Sequence, residues 1–320
     1  MKSLLKSANF RTYLYYLSAT DLSVVHFYLL LTVLNIVFYA RIAEWHLLVL
    51  LNAFVILAVF AIASFDARKK SFLTSQIRYW YVYPLILLTF KELYLMIKPI
   101  RGIDYDQALI SIDRWIFGFD PTVALHQVSF PLLTEFLQII YATFYFLPMI
   151  LAVNLVMKKK YIEADYSIFA VIFGFFVSYI GYFLFPATGP RFHLHQFELT
   201  NSELPGIFLT NFLREVINMG ESIPHGTPNP ESLVQRDVFP SGHTMMTAIT
   251  MYLSVRFNSP TKWFLVPTGM LLIFSTVYLR YHYAIDVIAG LACMALSLLA
   301  GKYYYNYWSR KTGRLEIHNV

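Results

Sequence analysis

The chain has 320 residues, of which 58% are hydrophobic, 18% aromatic and 14% charged, and its mean hydropathy is +0.54. A soluble domain of that length needs more charge to cover its surface, so the composition excludes an ordinary soluble enzyme and points to lipid as the main solvent. The net charge of +6 does not mark a nucleic-acid partner, because the basic residues fall in short clusters between apolar runs and not on one continuous face.

Residues 1–21 are polar and basic, and the apolar run behind them is long enough to span, so no cleavable signal peptide is expected. Crossing the hydrocarbon layer of about 30 Å takes roughly 20 apolar residues as a helix. Eight runs qualify, at 22–40, 45–65, 79–97, 132–157, 166–185, 241–255, 263–279 and 284–301, with the sixth and seventh at the short limit. The single cysteine, Cys293, lies in the last run and excludes an internal disulfide. Eight crossings put both ends of the chain on one side. That side collects 16 basic residues, among them Lys2, Lys6, Arg68 to Lys70, Lys158 to Lys160 and Lys311, against 8 on the other, such as Arg41, Arg101, Arg191 and Arg280. Both termini are therefore expected in the cytoplasm.

Two connections are longer than turns, and both fall on the outer side. Residues 98–131 interleave Asp104, Asp106, Asp113 and Arg114 with Leu109, Ile110, Ile112, Trp115 and Ile116, a spacing that predicts an amphipathic helix in the headgroup zone. Residues 186–240 are rich in Pro, Gly and His, and long ordered loops are where sites tend to be. The expected fold class is all-α: a polytopic transmembrane helix bundle of about eight spans. It forms one integral membrane domain over 1–320, with two extra helices in 1–78, a six-helix core in 79–301 and a cytoplasmic tail in 302–320. Lys91, inside the third run, needs a partner such as Glu92.

Pro240-Ser241-Gly242-His243 opens the sixth run. Proline suits a helix start, serine an N-cap, and glycine lets a ligand approach the backbone. The free amides and positive dipole of such a start attract anions, phosphate above all. By itself the tetrapeptide reads equally well as helix-start punctuation with an interfacial histidine. The second cluster runs from Ser275 to Asp286 across the turn between the last two runs. On a helix, His282 and Asp286 share a face, so the carboxylate orients one ring nitrogen and leaves the other free as nucleophile or base. Such a pair alone is more often structural, but an ionisable group at a membrane helix end is costly unless paired or used. The charge pattern places both clusters, with Arg191 and Arg280, at the outer ends of neighbouring helices. Two histidines, an amide-rich helix start and guanidinium groups are what in-line phosphoryl transfer requires, so no metal or other cofactor is expected. His193, His195 and His225 fit no common ligand spacing and read as neutral loop histidines. Asp237 reads as a headgroup contact or a loop cap.

These residues resemble the motifs of the type 2 phosphatidic acid phosphatase (PAP2) superfamily of membrane lipid phosphatases and phosphotransferases. Its three motifs are a basic stretch ending Arg-Pro, then Pro-Ser-Gly-His, then Ser-Arg, five residues, His, three residues, Asp. The second is intact at Pro240 to His243; the third is intact at Ser275, His282 and Asp286, with Thr276 in place of its arginine. The first survives only as Gly189-Pro190-Arg191, because the better letters at Lys91, Lys98 and Pro99 sit two helices too early. Loss of the third-motif arginine is a feature of the branch similar to inositol phosphorylceramide synthases, although that branch has a bulkier residue where Gly242 stands. The resemblance implies a PAP2-like core in which His282 attacks phosphorus, His243 protonates the departing alcohol and Asp286 steadies the imidazole. Arg191, Ser241 and Gly242 would hold the phosphate, with Arg280 the second-choice cation. The implied substrate is a membrane lipid: phosphatidic acid, a prenyl pyrophosphate or another phospho-headgroup lipid. Water as acceptor makes the chain a phosphatase; a lipid alcohol makes it a phosphotransferase. A lipid transporter or scaffold, with Lys91 and Glu92 on its path, is the reading from a different class.

Overall fold

The computed structural model describes residues 10–69 and 71–318, so Lys2, Lys6 and Lys70 of the basic set lie outside the described residues. Among the described residues there are helices and no strands. In chain order they are α1 (Phe10–Tyr16), α2 (Ala19–Val37), α3 (Trp45–Lys69), α4 (Phe72–Trp80), α5 (Val82–Arg101), α6 (Asp106–Phe117), α7 (Pro121–His126), α8 (Pro131–Ala142) and α9 (Phe146–Met157). There follow α10 (Tyr161–Leu184), α11 (Pro190–His193), α12 (Thr200–Glu203), α13 (Thr210–Gly220), α14 (Pro230–Leu233), α15 (Gly242–Arg256), α16 (Lys262–Tyr278) and α17 (Ala284–Thr312).

Every apolar run is helical, but the crossings are not eight equal ones. Five units are long and apolar enough to cross a membrane: α2, α3, α4 with α5, α10 and α17. A sixth, α8 with α9, is bent by 53°. The run 132–157 was expected as one helix. Pro148 has no N–H to give the carbonyl four residues back, and the ladder opens at 143–145. The remaining two are shorter, α16 with 17 residues and α15 with 15. At 1.5 Å per residue α15 is about 22 Å long, less than the hydrocarbon layer. Its length is tolerable because α10, α16 and α17 surround it and bury most of its side chains. The protein is thus an integral membrane helix bundle, with α10 at its centre against α2, α5, α9, α15 and α17. Lipid-facing rows are plain on α3, where Leu50, Phe54 and Leu57 are exposed, and on α17, where Leu291, Leu296 and Leu299 are.

Three local expectations change. The amphipathic helix α6 exists, but its acidic residues turn inward: Asp106 and Asp113 are buried beside Leu109 and Ile110, while Ile112, Trp115 and Ile116 face out. The carboxylates are spent on backbone amides of the core, and the apolar residues are left for the lipid interface. Lys91 does not pair with Glu92. Its ammonium bonds the Gly220 carbonyl at 2.6 Å and Ser222 Oγ at 2.9 Å, closing the C-terminal end of α13. The loop 186–240 hides α13, an amphipathic helix whose N-terminus is capped by the Glu135 carboxylate through the amides of Ile207, Phe208, Leu209 and Thr210.

Candidate active site

His282 is held by the end of α16 and not by a helix of its own. Arg280 takes a left-handed conformation (φ +68°), its amide returns to the Val277 carbonyl at 3.0 Å, and the Tyr281 amide returns to the Thr276 carbonyl at 2.9 Å. This is the double bond pattern that closes a helix on a left-handed residue, filled here by arginine where glycine would be free of strain. The His282 amide also lands on the Thr276 carbonyl, at 3.0 Å, so the turn aims the imidazole inward, 3% exposed. His282 and Asp286 therefore do not share a helical face. Asp286 is in the first turn of α17, bonds the Tyr283 amide at 2.7 Å, and brings Oδ2 to 3.4 Å from His282 Nδ1. The shorter contact of Nδ1 is the Val238 carbonyl, at 2.9 Å. A carbonyl only accepts, so Nδ1 carries the proton and Nε2 presents its lone pair. Burial lowers the His282 pKa to about 4, which keeps the ring neutral and nucleophilic near pH 7.

That lone pair faces His243, whose Nδ1 lies 3.3 Å from His282 Nε2. His243 is the second residue of α15, half-buried between Tyr141, with ring centroids 4.7 Å apart, and Phe144, at 4.3 Å. These two rings sit at the break between α8 and α9, so the kink positions the histidine. Ser241 caps α15 through Thr244, at 3.2 Å. Its own amide is taken by the Asp286 carbonyl at 3.1 Å, which removes it from the expected set of phosphate donors. The amide of Gly242, at the start of the helix, is engaged by the Tyr182 hydroxyl. A side chain at Gly242 would collide with the Tyr182 hydroxyl, which is why a bulkier residue does not fit here.

The two expected cations are both engaged. Arg280 pairs with Glu203 and is 1% exposed, and the charges that act on His282 are Asp237, Glu221 and Arg191. Arg191 stacks on Tyr281 at 4.7 Å, donates to Asn218 at 3.0 Å and pairs with Glu221, while its Nε is buried without an acceptor. Glu221 and Asn218 belong to the C-terminal end of α13. That helix divides two cavities. One, of about 420 Å³, is walled by Phe90, Tyr145, Phe175, Tyr179, Leu213 and Ile217 and ends on Asp237, Glu221, Gly242 and His243. The other, of about 380 Å³, is of mixed character and is lined by Arg191, Asn201, Arg214, Asn218, Ile223 and Tyr281. Asp237 thus stands in the apolar cavity's wall beside His243; burial and the neighbouring Glu221 carboxylate push its pKa up.

A ring of carboxylates fixes the backbone around this centre. Asp113 accepts the Ala284 and Ile285 amides at 2.9 and 2.7 Å and so caps α17. Asp106 accepts the Thr188 and Gly189 amides at 3.0 and 2.8 Å and the Tyr283 hydroxyl at 2.9 Å. His193 was expected to be a neutral loop residue. Its Nε2 lies 3.4 Å from Asp106 and 2.8 Å from Thr188 Oγ1, and the hydrogen bond with Asp106 raises its pKa. His195 meets Thr122 at 3.0 Å, and His225 meets Glu215 at 3.2 Å, so the three histidines do not converge.

Residues 107–300, from α6 to within α17, match the PAP2 superfamily. The chain belongs to that superfamily. It is also similar to a PA-phosphatase related-family protein of Dictyostelium discoideum, at 32% identity over 123 residues, or 38% of this chain. The matched stretch spans 20% of that relative's length. No solved structure matches this PAP2 protein.

Proposed function

We propose that the chain is a lipid phosphatase working through a phosphohistidine on His282. The observation that carries this reading is the pair of facing nitrogens, His282 Nε2 and His243 Nδ1, 3.3 Å apart at the start of α15. A phosphoryl group entering the site parts the two rings and breaks this hydrogen bond, which frees the lone pair of His282 Nε2 on one side and the ring N–H of His243 on the other. Nε2 forms the P–N bond as the P–O bond to the lipid alcohol breaks, and His243, entering the step as an imidazolium beside the anionic phosphate, gives that alcohol its proton and is left neutral. The Val238 carbonyl and the Asp286 carboxylate stabilise the imidazolium character that grows on His282. The positive end of α15 stabilises the equatorial oxygens, joined by the Gly242 amide when phosphate displaces the Tyr182 hydroxyl from it. Water then attacks phosphorus, His243 takes its proton, the P–N bond breaks, and inorganic phosphate leaves.

The apolar cavity that ends on His243 supports a lipid leaving group, since an alkyl chain there places its alcohol oxygen beside the proton donor. The same cavity could deliver a lipid alcohol as acceptor, which is the phosphotransferase reading. The excess of basic residues on the terminal side supports cytoplasmic termini and an extracytoplasmic site, within one membrane domain whose core is 79–301. Release of inorganic phosphate from phosphatidic acid or a prenyl pyrophosphate, by detergent-solubilised protein without added alcohol, is the expected result. No phosphate, with a new headgroup-bearing lipid formed once ceramide or diacylglycerol is supplied, would replace hydrolysis with transfer.

Arg191 is the cation placed to meet the substrate phosphate, and Glu221 competes for it. Glu221→Gln removes that competitor and leaves the guanidinium in place. KM should fall by about tenfold, with kcat changed by less than about twofold, as expected when a charge-assisted bond in the free enzyme no longer has to be broken. An unchanged or higher KM in initial-rate measurements would place the phosphate away from Arg191.

A further inference from the structure

A second polar cluster lies within the membrane, between the first two crossings and α5. Asn35 of α2, Asn52 of α3 and Glu92 of α5 are 0%, 0% and 2% exposed. Both amides donate Nδ2–H to one carboxylate oxygen, Glu92 Oε1, at 3.1 and 2.9 Å, and Asn35 Nδ2 also reaches the Leu31 carbonyl at 3.0 Å. Three acceptors are left buried with no donor: Asn35 Oδ1, Asn52 Oδ1 and Glu92 Oε2. Each belongs to the same amide or carboxylate group as an atom already joined at Oε1, so both amide groups face the Glu92 carboxylate.

A carboxylate at membrane depth is costly unless neutralised, and each unpaired buried acceptor adds to the cost. One proton on Oε2 supplies one donor for three acceptors. With O and N exchanged, as either asparagine allows, both amide oxygens face the Glu92 carboxylate, and a small hard cation there takes lone pairs from both amides and the carboxylate together. One carboxylate among neutral amides balances one positive charge, so a divalent ion would leave net charge in the bilayer. We propose that Asn35, Asn52 and Glu92 form an intramembrane site for a monovalent cation of sodium size, which ties the first two crossings to α5.

The test is thermal unfolding of the full chain in detergent at constant ionic strength, with sodium, potassium or choline chloride. The midpoint should rise by several degrees as sodium replaces choline, with potassium weaker, because an ion that binds only the folded state stabilises it. Glu92→Gln keeps the volume and a hydrogen-bonding amide, and Asn52→Leu removes one ligand; each should abolish the sodium dependence while still unfolding cooperatively. A wild-type midpoint indifferent to sodium overturns the site, as does an equal sodium response in Glu92→Gln. Dependence on pH without dependence on sodium overturns it too, in favour of a proton.

Discussion

His282→Asn is expected to lower turnover of a lipid phosphate by about 10⁴-fold or more, the scale on which loss of a nucleophile acts in enzymes with a covalent intermediate. Asparagine is the informative choice, because its side-chain amide can still donate to the Val238 carbonyl that His282 Nδ1 meets at 2.9 Å. The buried carbonyl then keeps a partner, and stability should change little, whereas His282→Ala would leave that acceptor unpaired at a cost of about 1–3 kcal/mol. Initial rates with thermal unfolding in parallel separate the two effects. An asparagine variant that retains a tenth of wild-type activity would remove His282 from the covalent role.

His243→Ala should reduce turnover of alkyl phosphate esters by about 10²–10⁴-fold, the usual contribution of a positioned general acid. The loss should depend on the leaving group. An alkoxide leaves poorly without a proton, whereas a nitrophenolate, whose conjugate acid has a nearly neutral pKa, leaves unaided, so a nitrophenyl phosphate ester should suffer far less in the variant than a lipid ester. The geometry motivates the difference: His243 ends the cavity in which a lipid alcohol would sit, while its other face is shaped by Tyr141 and Phe144. Equal losses on both esters would mean that His243 positions the phosphate and donates no proton.

The composition and the eight apolar runs carried the membrane bundle into view, and the spacing of Pro240 to His243 and of Ser275, His282 and Asp286 carried the family. What stayed hidden was of three physical kinds. Backbone groups have no letter: the Val238 carbonyl on His282 and the Asp286 carbonyl on the Ser241 amide follow only from the path of the chain. Pairings across long sequence distances were also closed to local pattern, so Arg191 met Glu221, Arg280 met Glu203 and Lys91 met the end of α13. Finally, the direction of an amphipathic face depends on what lies behind it. The spacing of α6 was legible, but Asp106 and Asp113 face inward because the starts of α11 and α17 need acceptors there. The helix α13 does have a local signal, since Leu209, Phe212, Leu213, Val216 and Ile217 recur at helical spacing inside the loop 186–240.

The most direct measurement is rapid acid-free quenching of the wild-type protein with a lipid substrate carrying labelled phosphorus, followed by peptide mapping of the label. An acid-labile, base-stable phosphoryl group on the peptide that contains His282, absent from His282→Asn and formed no more slowly than product appears, is the predicted result. Turnover with no such adduct, or with the label on another side chain, would contradict the phosphohistidine.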